Sequence, residues 1–129
     1  MTSALNLLMV AAGGAIGSLA RYLITLGSEA LPWGSNMLGT TVANLVGCAA
    51  IGAFSEYVIL REHLSEELQL AIRVGALGGL TTFSTFAYEA IALANEGRWG
   101  VSGLYLMANL FLGFSALIFA TMMVRGWLA

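Results

Sequence analysis

Glycine and hydroxyl residues interrupt an apolar stretch in the second half of the chain, over residues 75–86. Three glycines and four serine or threonine side chains lie within these twelve positions. Each glycine weakens a helix by roughly 1 kcal/mol. In hydrocarbon an irregular backbone is tolerated only where protein buries it or an aqueous cavity meets it, because lipid cannot satisfy the freed N–H and C=O groups. The interruption therefore indicates a binding site.

A helix that breaks here offers two kinds of ligand. Carbonyl groups of Leu77–Thr82 suit a cation, whereas the N–H groups and positive dipole end of a half-helix starting near Phe83 suit an anion. Ser84 and Thr85 add hydroxyl donors, and Phe86 follows Phe83 by three residues, so the two rings share a face. Their spacing alone favours an aromatic packing pair, although the positive ring edges also suit an anion.

Polar side chains also occur in the preceding apolar stretch, where Thr40, Asn44 and Cys48 follow one another at intervals of four residues. This spacing places them on one face of a helix. An amide in hydrocarbon needs a hydrogen-bond partner, so Asn44 either holds two helices together or binds an ion. Cys48 is expected to be a small buried residue. As the only cysteine it excludes an intrachain disulfide.

Charged and polar residues lie in the other apolar stretches as well. Charge inside a membrane span by default suggests function. Arg21, however, lies near the end of the first stretch, so snorkelling to lipid headgroups is an equal alternative. Glu89 follows Phe86 by three residues and extends the same face, with snorkelling again the alternative. Tyr105 and Asn109 are four residues apart and share a face of the last stretch.

The composition is that of a membrane protein. Of the 129 residues, 59% are apolar and 9% are charged, whereas about a quarter are charged in soluble domains. About 20 residues of helix cross the ~30 Å of hydrocarbon. Four spans are predicted within a single domain of residues 1–129, at about residues 5–26, 37–59, 68–95 and 101–124. The predicted connections are residues 27–36, 55–69 and 96–100.

Charge and side-chain pattern exclude several classes of function. The chain has no lysine and a net charge of −2, which argues against nucleic acid, whose phosphates need clustered cations. The N-terminus lacks the positive region of a secretory signal, so the first stretch is interpreted as an uncleaved span. His63 has no companions at metal-ligand spacing and is interpreted as a solvated loop residue. With no arrangement of nucleophile, base and orienting group, the chain is predicted not to be an enzyme.

Three motifs together resemble the Fluc (CrcB) family of small fluoride channels. The central motif is Gly-Gly-Leu-Thr-Thr-Phe-Ser-Thr-Phe at residues 78–86, and the others are residues 13–17 continuing to Arg21-Tyr22 and residues 39–47. The resemblance spans nearly the full chain. It implies an all-α membrane protein with four transmembrane helices, the third broken at the midplane, assembled as an antiparallel dual-topology homodimer. The implied activity is passive export of fluoride across a bacterial inner membrane.

The resemblance also implies which residues act. The expected pore and fluoride-binding residues are Phe83, Phe86, Asn44, Ser84, Thr85, Thr40 and Tyr105, with the Asn44 amide donating its N–H to the ion. Arg21 and Glu89 are expected at a pore mouth or as anchoring residues. Backbone carbonyls of Gly78 and Thr81 from both chains are expected to surround a structural sodium ion at the dimer interface. In the last helix this chain departs from the family, because it has Asn109 and Gly113 where related chains offer serines.

The arginine distribution and the size of the chain both favour a dimer. Four spans place Arg61, Arg73 and Arg125 on one side of the membrane and Arg21 and Arg98 on the other. This bias of three to two is weak under the positive-inside rule, so insertion in both orientations is expected. Four packed helices also leave no central channel, because a small bundle fills its core with side chains.

Two other kinds of membrane protein remain as alternatives. Small proton-coupled multidrug transporters are also short four-span dimers, but they rely on a carboxylate in the first span, where this chain has only Arg21. A non-transporting scaffold would use the pairs Gly13/Gly17 and Gly75/Gly79 to dock other helices. That interpretation leaves the polar and aromatic cluster at residues 81–86 unexplained.

Overall fold

The computed structural model describes residues 3–61 and 63–128, and within them every regular element is helical. Four helical segments are long and apolar enough to span a membrane. They run over Ala4–Glu29, Asn36–Arg61, Glu66–Asn95 and Trp99–Leu128. These segments confirm the four apolar spans predicted from the sequence, although each helix extends beyond the predicted span in at least one direction.

Helix α1 (Ala4–Glu29) packs through its glycines against the third segment. Ser3 caps its N-terminus, since the Ser3 hydroxyl accepts a hydrogen bond from the Asn6 N–H at 3.1 Å. A Cβ on Gly13 would collide with the carbonyl of Ala71, and a Cβ on Gly17 would collide with the carbonyl of Ala76. The small-residue spacing of α1 therefore brings two backbones into direct contact, as such pairs do in membranes.

The third segment is irregular. It begins with α3 (Glu66–Leu70), continues as a π-helical stretch (Ala71–Leu77) and ends in a single turn, α4 (Gly78–Leu80). Thr81 then adopts an extended conformation with φ −85° and ψ 155°, and helix resumes as α5 (Ser84–Asn95). π-helical turns are rare and occur frequently at functional sites.

Helix α6 (Trp99–Leu128) lies along α2 (Asn36–Arg61). Close approach is possible because a Cβ on Gly52 would come within 2.5 Å of the carbonyl oxygen of Leu117. Near one end of the pair, the guanidinium of Arg125 donates to both carboxylate oxygens of Glu56, at 2.8 and 3.3 Å. The Glu56 side chain is only 7% exposed whereas that of Arg125 is 67% exposed, so an arginine at the surface pairs with a buried carboxylate and joins the two helices.

The polar connection predicted over residues 55–69 is wrong in its extent. Helix α2 continues to Arg61, because Glu56 turns inward to Arg125 instead of meeting water. On the far side, the hydroxyl of Ser65 accepts from the Leu68 N–H at 3.3 Å and starts α3 at Glu66. The connection within the described residues therefore reduces to 63–65, and Glu62 of the predicted loop lies outside them.

The other two connections are also shorter than predicted. Helix α1 continues to Glu29, which leaves residues 30–35 before α2. Residues 96–98 join α5 to α6, and Gly97 in this turn has φ +79°, a conformation that glycine adopts without strain. His63 is exposed in its connection. Trp33, Trp99 and Trp127 lie near helix ends and are at least 72% exposed, as expected for side chains at a membrane interface.

Candidate functional site

The carboxamide of Asn44 holds the non-helical residues between α4 and α5. Its Oδ1 accepts a hydrogen bond from the N–H of Thr82 at 2.8 Å, and its Nδ2 donates to the carbonyl of the same residue at 3.1 Å. One side chain on α2 therefore satisfies both main-chain groups of Thr82. The amide partner that Asn44 requires in hydrocarbon is thus the interrupted backbone itself.

This pairing changes the partners of neighbouring carbonyls. In a continuous helix the N–H of Thr82 would donate to the carbonyl of Gly78, but here it donates to Asn44. Likewise the N–H of Thr85 donates to the hydroxyl of Thr82 at 3.2 Å instead of reaching the carbonyl of Thr81. Gly78 and Thr81 thereby lose their usual helical donors.

The carbonyl of Gly79 has a different partner. The Nε of Arg21 donates to it at 3.1 Å, across 58 residues of sequence. Arg21 therefore contacts the end of α4 inside the bundle, where the sequence left snorkelling to the headgroups open. The contact joins α1 to the interrupted segment and places a cation beside its C-terminal carbonyls, a favourable position for positive charge.

Three aromatic rings line up from the start of α5 to α6. The centroids of Phe83 and Phe86 are 5.9 Å apart in an edge-to-face arrangement, and Phe86 lies 5.4 Å from Tyr105. Phe86 is 5% exposed, whereas Phe83 is 77% exposed. The two phenylalanines thus contact each other as the spacing predicted, but they do not share one environment. Phe86 belongs to the core and Phe83 to the surface of the chain.

Two of the remaining predicted polar residues, Thr40 and Tyr105, contact Glu89, which is buried in α5. The hydroxyl of Thr40 donates to Glu89 Oε1 at 3.2 Å, and the hydroxyl of Tyr105 donates to Oε2 at 2.6 Å. Both carboxylate oxygens therefore have a hydroxyl partner from another helix. Ser84 is exposed, and Thr85 faces the hydroxyl of Thr82 at 3.1 Å.

Asn109 is a member of this polar network that the sequence analysis did not include among the expected pore residues. Its Nδ2 donates to the hydroxyl of Thr41 at 3.0 Å and to the carbonyl of Tyr105 at 3.1 Å. Its Oδ1 accepts from Asn44 Nδ2 at 3.4 Å. The sequence signal available was the four-residue spacing from Tyr105, which put both residues on one face of α6. Thr41 had no such signal.

A cleft of about 370 Å³ opens beside these residues and is mostly apolar. We call it the site cleft. Asn44, Phe83 and Phe86 lie in its wall, together with Gly78, Thr81 and Asn109. A second cleft at the α1–α2 connection is lined by Thr85 and Glu89. The structure therefore brings the aromatic and amide residues to the site cleft and the Glu89 carboxylate to the second cleft.

Fold and site define a class, a small all-helical integral membrane protein whose third spanning segment is interrupted and held by an internal amide. Comparison with known proteins identifies the family. Residues 8–121 match the family described as CrcB-like protein, Camphor Resistance (CrcB), and the chain belongs to this family. The match covers all the residues of the site cleft and of the Glu89 network.

Several relatives carry the name fluoride-specific ion channel FluC. The protein of Rhizobium leguminosarum bv. trifolii is 41% identical over 92% of this chain and 94% of its own length. That of Agrobacterium fabrum is 40% identical, covering 87% and 90%. The protein of Rhodopirellula baltica is 35% identical, covering 98% and 99%.

Proposed function

We propose that this protein is a fluoride-selective channel, not an enzyme, that lets fluoride leave the cell passively and so lowers cytoplasmic fluoride. The observation that carries the proposal is the similarity to fluoride-specific channels, at 41% identity over almost the whole of both chains. The aromatic and amide residues at the site cleft supply chemistry suited to a small, strongly hydrated anion. Such an ion must exchange its water for hydrogen-bond donors and positive edges.

Asn44, Phe83 and Phe86 provide this chemistry without a permanent positive charge. Both N–H groups of Asn44 have partners, the Thr82 carbonyl at 3.1 Å and Asn109 Oδ1 at 3.4 Å. The longer bond is the weaker one, so a passing fluoride competes with Asn109 for that N–H. The ring edges of the phenylalanines add partial positive charge. Weak binding at several points permits the ion to leave.

Thr40 and Tyr105 extend the path toward Glu89. Both of their hydroxyl protons are directed at the carboxylate in the described geometry. They donate to fluoride only after releasing Glu89, so Glu89 is a pore-mouth residue that controls the availability of these donors. Ser84 and Thr85 at the start of α5 supply further hydroxyls and the positive dipole end of that helix.

The functional unit is an antiparallel dual-topology homodimer in which the interruptions of both third segments meet at the membrane midplane. Support comes from the 77% exposure of Phe83, because an aromatic ring expected to line a pore lies on the surface of the single chain. A second copy is needed to enclose it. The weak arginine bias supports insertion in both orientations. The compartment proposed is the plasma membrane of a bacterium.

A sodium ion at the dimer interface fits the available carbonyls. Gly78 and Thr81 have lost their helical donors, and a hard cation prefers such oxygens. Among the described residues no cluster of three His, Cys, Asp or Glu side chains offers a competing metal site. One chain supplies two of these oxygens, so the two chains together would hold the ion. Its role would be structural, joining the interrupted backbones.

Fluoride efflux from liposomes tests the function. Purified protein should release trapped fluoride, measured with a fluoride electrode, far faster than chloride. Phe83→Ile should lower the fluoride rate at least tenfold, while Phe119→Ile, a matched change on an exposed ring of α6, should leave it unchanged. Protein that passes no fluoride contradicts the channel, and a Phe83→Ile dimer with the wild-type rate contradicts the assignment of the pore.

The assembly is tested separately. Light scattering of the protein in detergent should give twice the chain mass, and a monomeric mass would contradict the dimer. Bound sodium should raise the midpoint of thermal unfolding relative to an organic cation of equal ionic strength. An identical midpoint in both salts would contradict the sodium site without bearing on fluoride transport.

A further inference from the structure

Arg73 lies where the site cleft meets a third cleft, which we call the outer cleft. The outer cleft has a volume of about 330 Å³ and is lined by Ile51, Glu66, Gln69, Leu70, Arg73 and Val74. Arg73 also lines the site cleft, together with Asn44 and Phe83. It follows Glu66, the first residue of α3, by seven positions, so it stands inside the end of the spanning segment and not in the connection.

The surroundings of Arg73 differ from those of three other arginines. Arg21 donates to a carbonyl inside the bundle, Arg125 is paired with a buried carboxylate, and Arg98 lies 3.5 Å from Glu96. Arg73 is exposed, and within the described residues no carboxylate lies within ion-pairing distance of it. Within that part of the chain no direct partner cancels its positive charge, which acts on the two clefts that it borders.

We infer that Arg73 collects fluoride at the entrance to the site cleft, an inference that rests on the proposed channel function. A cation in a narrow cleft with low-dielectric walls raises the local concentration of anions and their rate of entry. Arg73 contributes through this field and not by holding the ion at the pore amide, so it raises the rate of entry without trapping fluoride. Glu66 in the same outer cleft has the opposite sign and reduces the effect.

Ionic strength distinguishes this role from a structural one. The Debye length is about 30 Å at 0.01 M salt and about 3 Å at 1 M, so a field effect acts at low salt and disappears at high salt. With an impermeant salt as the variable, Arg73→Gln should reduce fluoride current about three- to tenfold at the lower concentration and match the wild type at the higher one. Arg73→Lys should retain the wild-type current at both.

Glu66→Gln and Arg98→Gln complete the set of variants. Glu66→Gln removes the opposing charge and should raise the current at low salt about twofold. Arg98→Gln is the matched control, because Arg98 belongs to the α5–α6 connection and lines neither cleft, and it should conduct like the wild type.

Two results would overturn the inference while leaving the channel intact. One is an Arg73→Gln protein with wild-type current at low salt. The other is a current reduced equally at low and high salt, which indicates that Arg73 supports the fold or binds a lipid headgroup. A wild-type protein that passes no fluoride at all would overturn both this role and the proposed function.

Discussion

Replacing Asn44 by leucine tests whether its carboxamide stabilises the interrupted segment. The change removes hydrogen bonds of 2.8 and 3.1 Å to Thr82 and leaves the N–H and C=O of that residue without their partner. Interhelical hydrogen bonds in membranes contribute about 0.6 to 1.7 kcal/mol each, and an orphaned polar group costs about 1–3 kcal/mol. We expect the free energy of unfolding to fall by about 2–4 kcal/mol, a change of roughly 30- to 700-fold in the unfolding equilibrium constant.

Asn109→Leu provides the matched comparison. Its loss removes bonds to Thr41 and to the carbonyl of Tyr105, and the long 3.4 Å bond from Asn44, but Thr41 keeps the Met37 carbonyl at 2.9 Å and Asn44 keeps both of its bonds to Thr82. We therefore expect a cost of only about 1 kcal/mol.

Unfolding of both variants in mixed detergent micelles measures the difference, and fluoride efflux of the refolded proteins reports whether the segment still conducts. Equal costs for the two substitutions, or an Asn44→Leu protein as stable as the wild type, would refute the assignment of Asn44 as the principal support of Thr82.

Five further substitutions test the packing and the polar network. Gly17→Val places side-chain atoms against a backbone carbonyl of the third segment and should destabilise the protein by about 3 kcal/mol or more in thermal unfolding. Gly14→Ala, where nothing lies within 4 Å, should cost nothing. Arg125→Gln should be more destabilising than Glu56→Gln in detergent unfolding, because it strands a buried carboxylate whereas the reverse change leaves an exposed arginine. Tyr105→Phe should cost about 1 kcal/mol and slow fluoride efflux, because it removes the 2.6 Å donor to the carboxylate of α5.

Each of these has a contradicting outcome. Equal stability of the Gly14 and Gly17 variants would refute direct contact of the two backbones. Equal losses of stability in Arg125→Gln and Glu56→Gln would contradict the burial of Glu56 relative to Arg125. A Tyr105→Phe protein with unchanged efflux would exclude that hydroxyl from the permeation path.

The number of spans could be predicted from hydropathy, because only a helix satisfies its own backbone in lipid and four stretches are long enough. The residues at which the helices begin and end could not be predicted in this way. Glu56 looked like the start of a polar loop, yet it is buried because Arg125 reaches it from 69 residues away. A charge that finds a partner in another helix carries no local signal of burial. Likewise nothing in the composition of residues 71–77 predicts π-helical geometry.

The candidate site could be predicted only in part, because the partners of its polar residues lie on other helices. The need of Asn44 for a partner followed from its residue type, but the identity of that partner depends on how α2 meets the interrupted segment. Arg21 left two interpretations open because both satisfy a cation, and its contact with the Gly79 carbonyl could not be predicted from the sequence because it depends on how α1 packs against the third segment. The roles of the predicted pore residues stay predictions until transport is measured.

The π-helical stretch Ala71–Leu77 changes the rotation of the third segment about its axis. Each of its turns contains more residues than an α-turn, so everything that follows is rotated about the axis relative to a regular helix starting at Glu66. That rotation sets where the carbonyls of Gly78, Gly79 and Thr81 are directed. The same seven residues in ordinary α-geometry would rotate these oxygens about the helix axis, away from the direction in which the Gly79 carbonyl meets Arg21. The geometry of this stretch therefore determines the direction in which the following carbonyls point about the helix axis, as well as how far along the axis they lie.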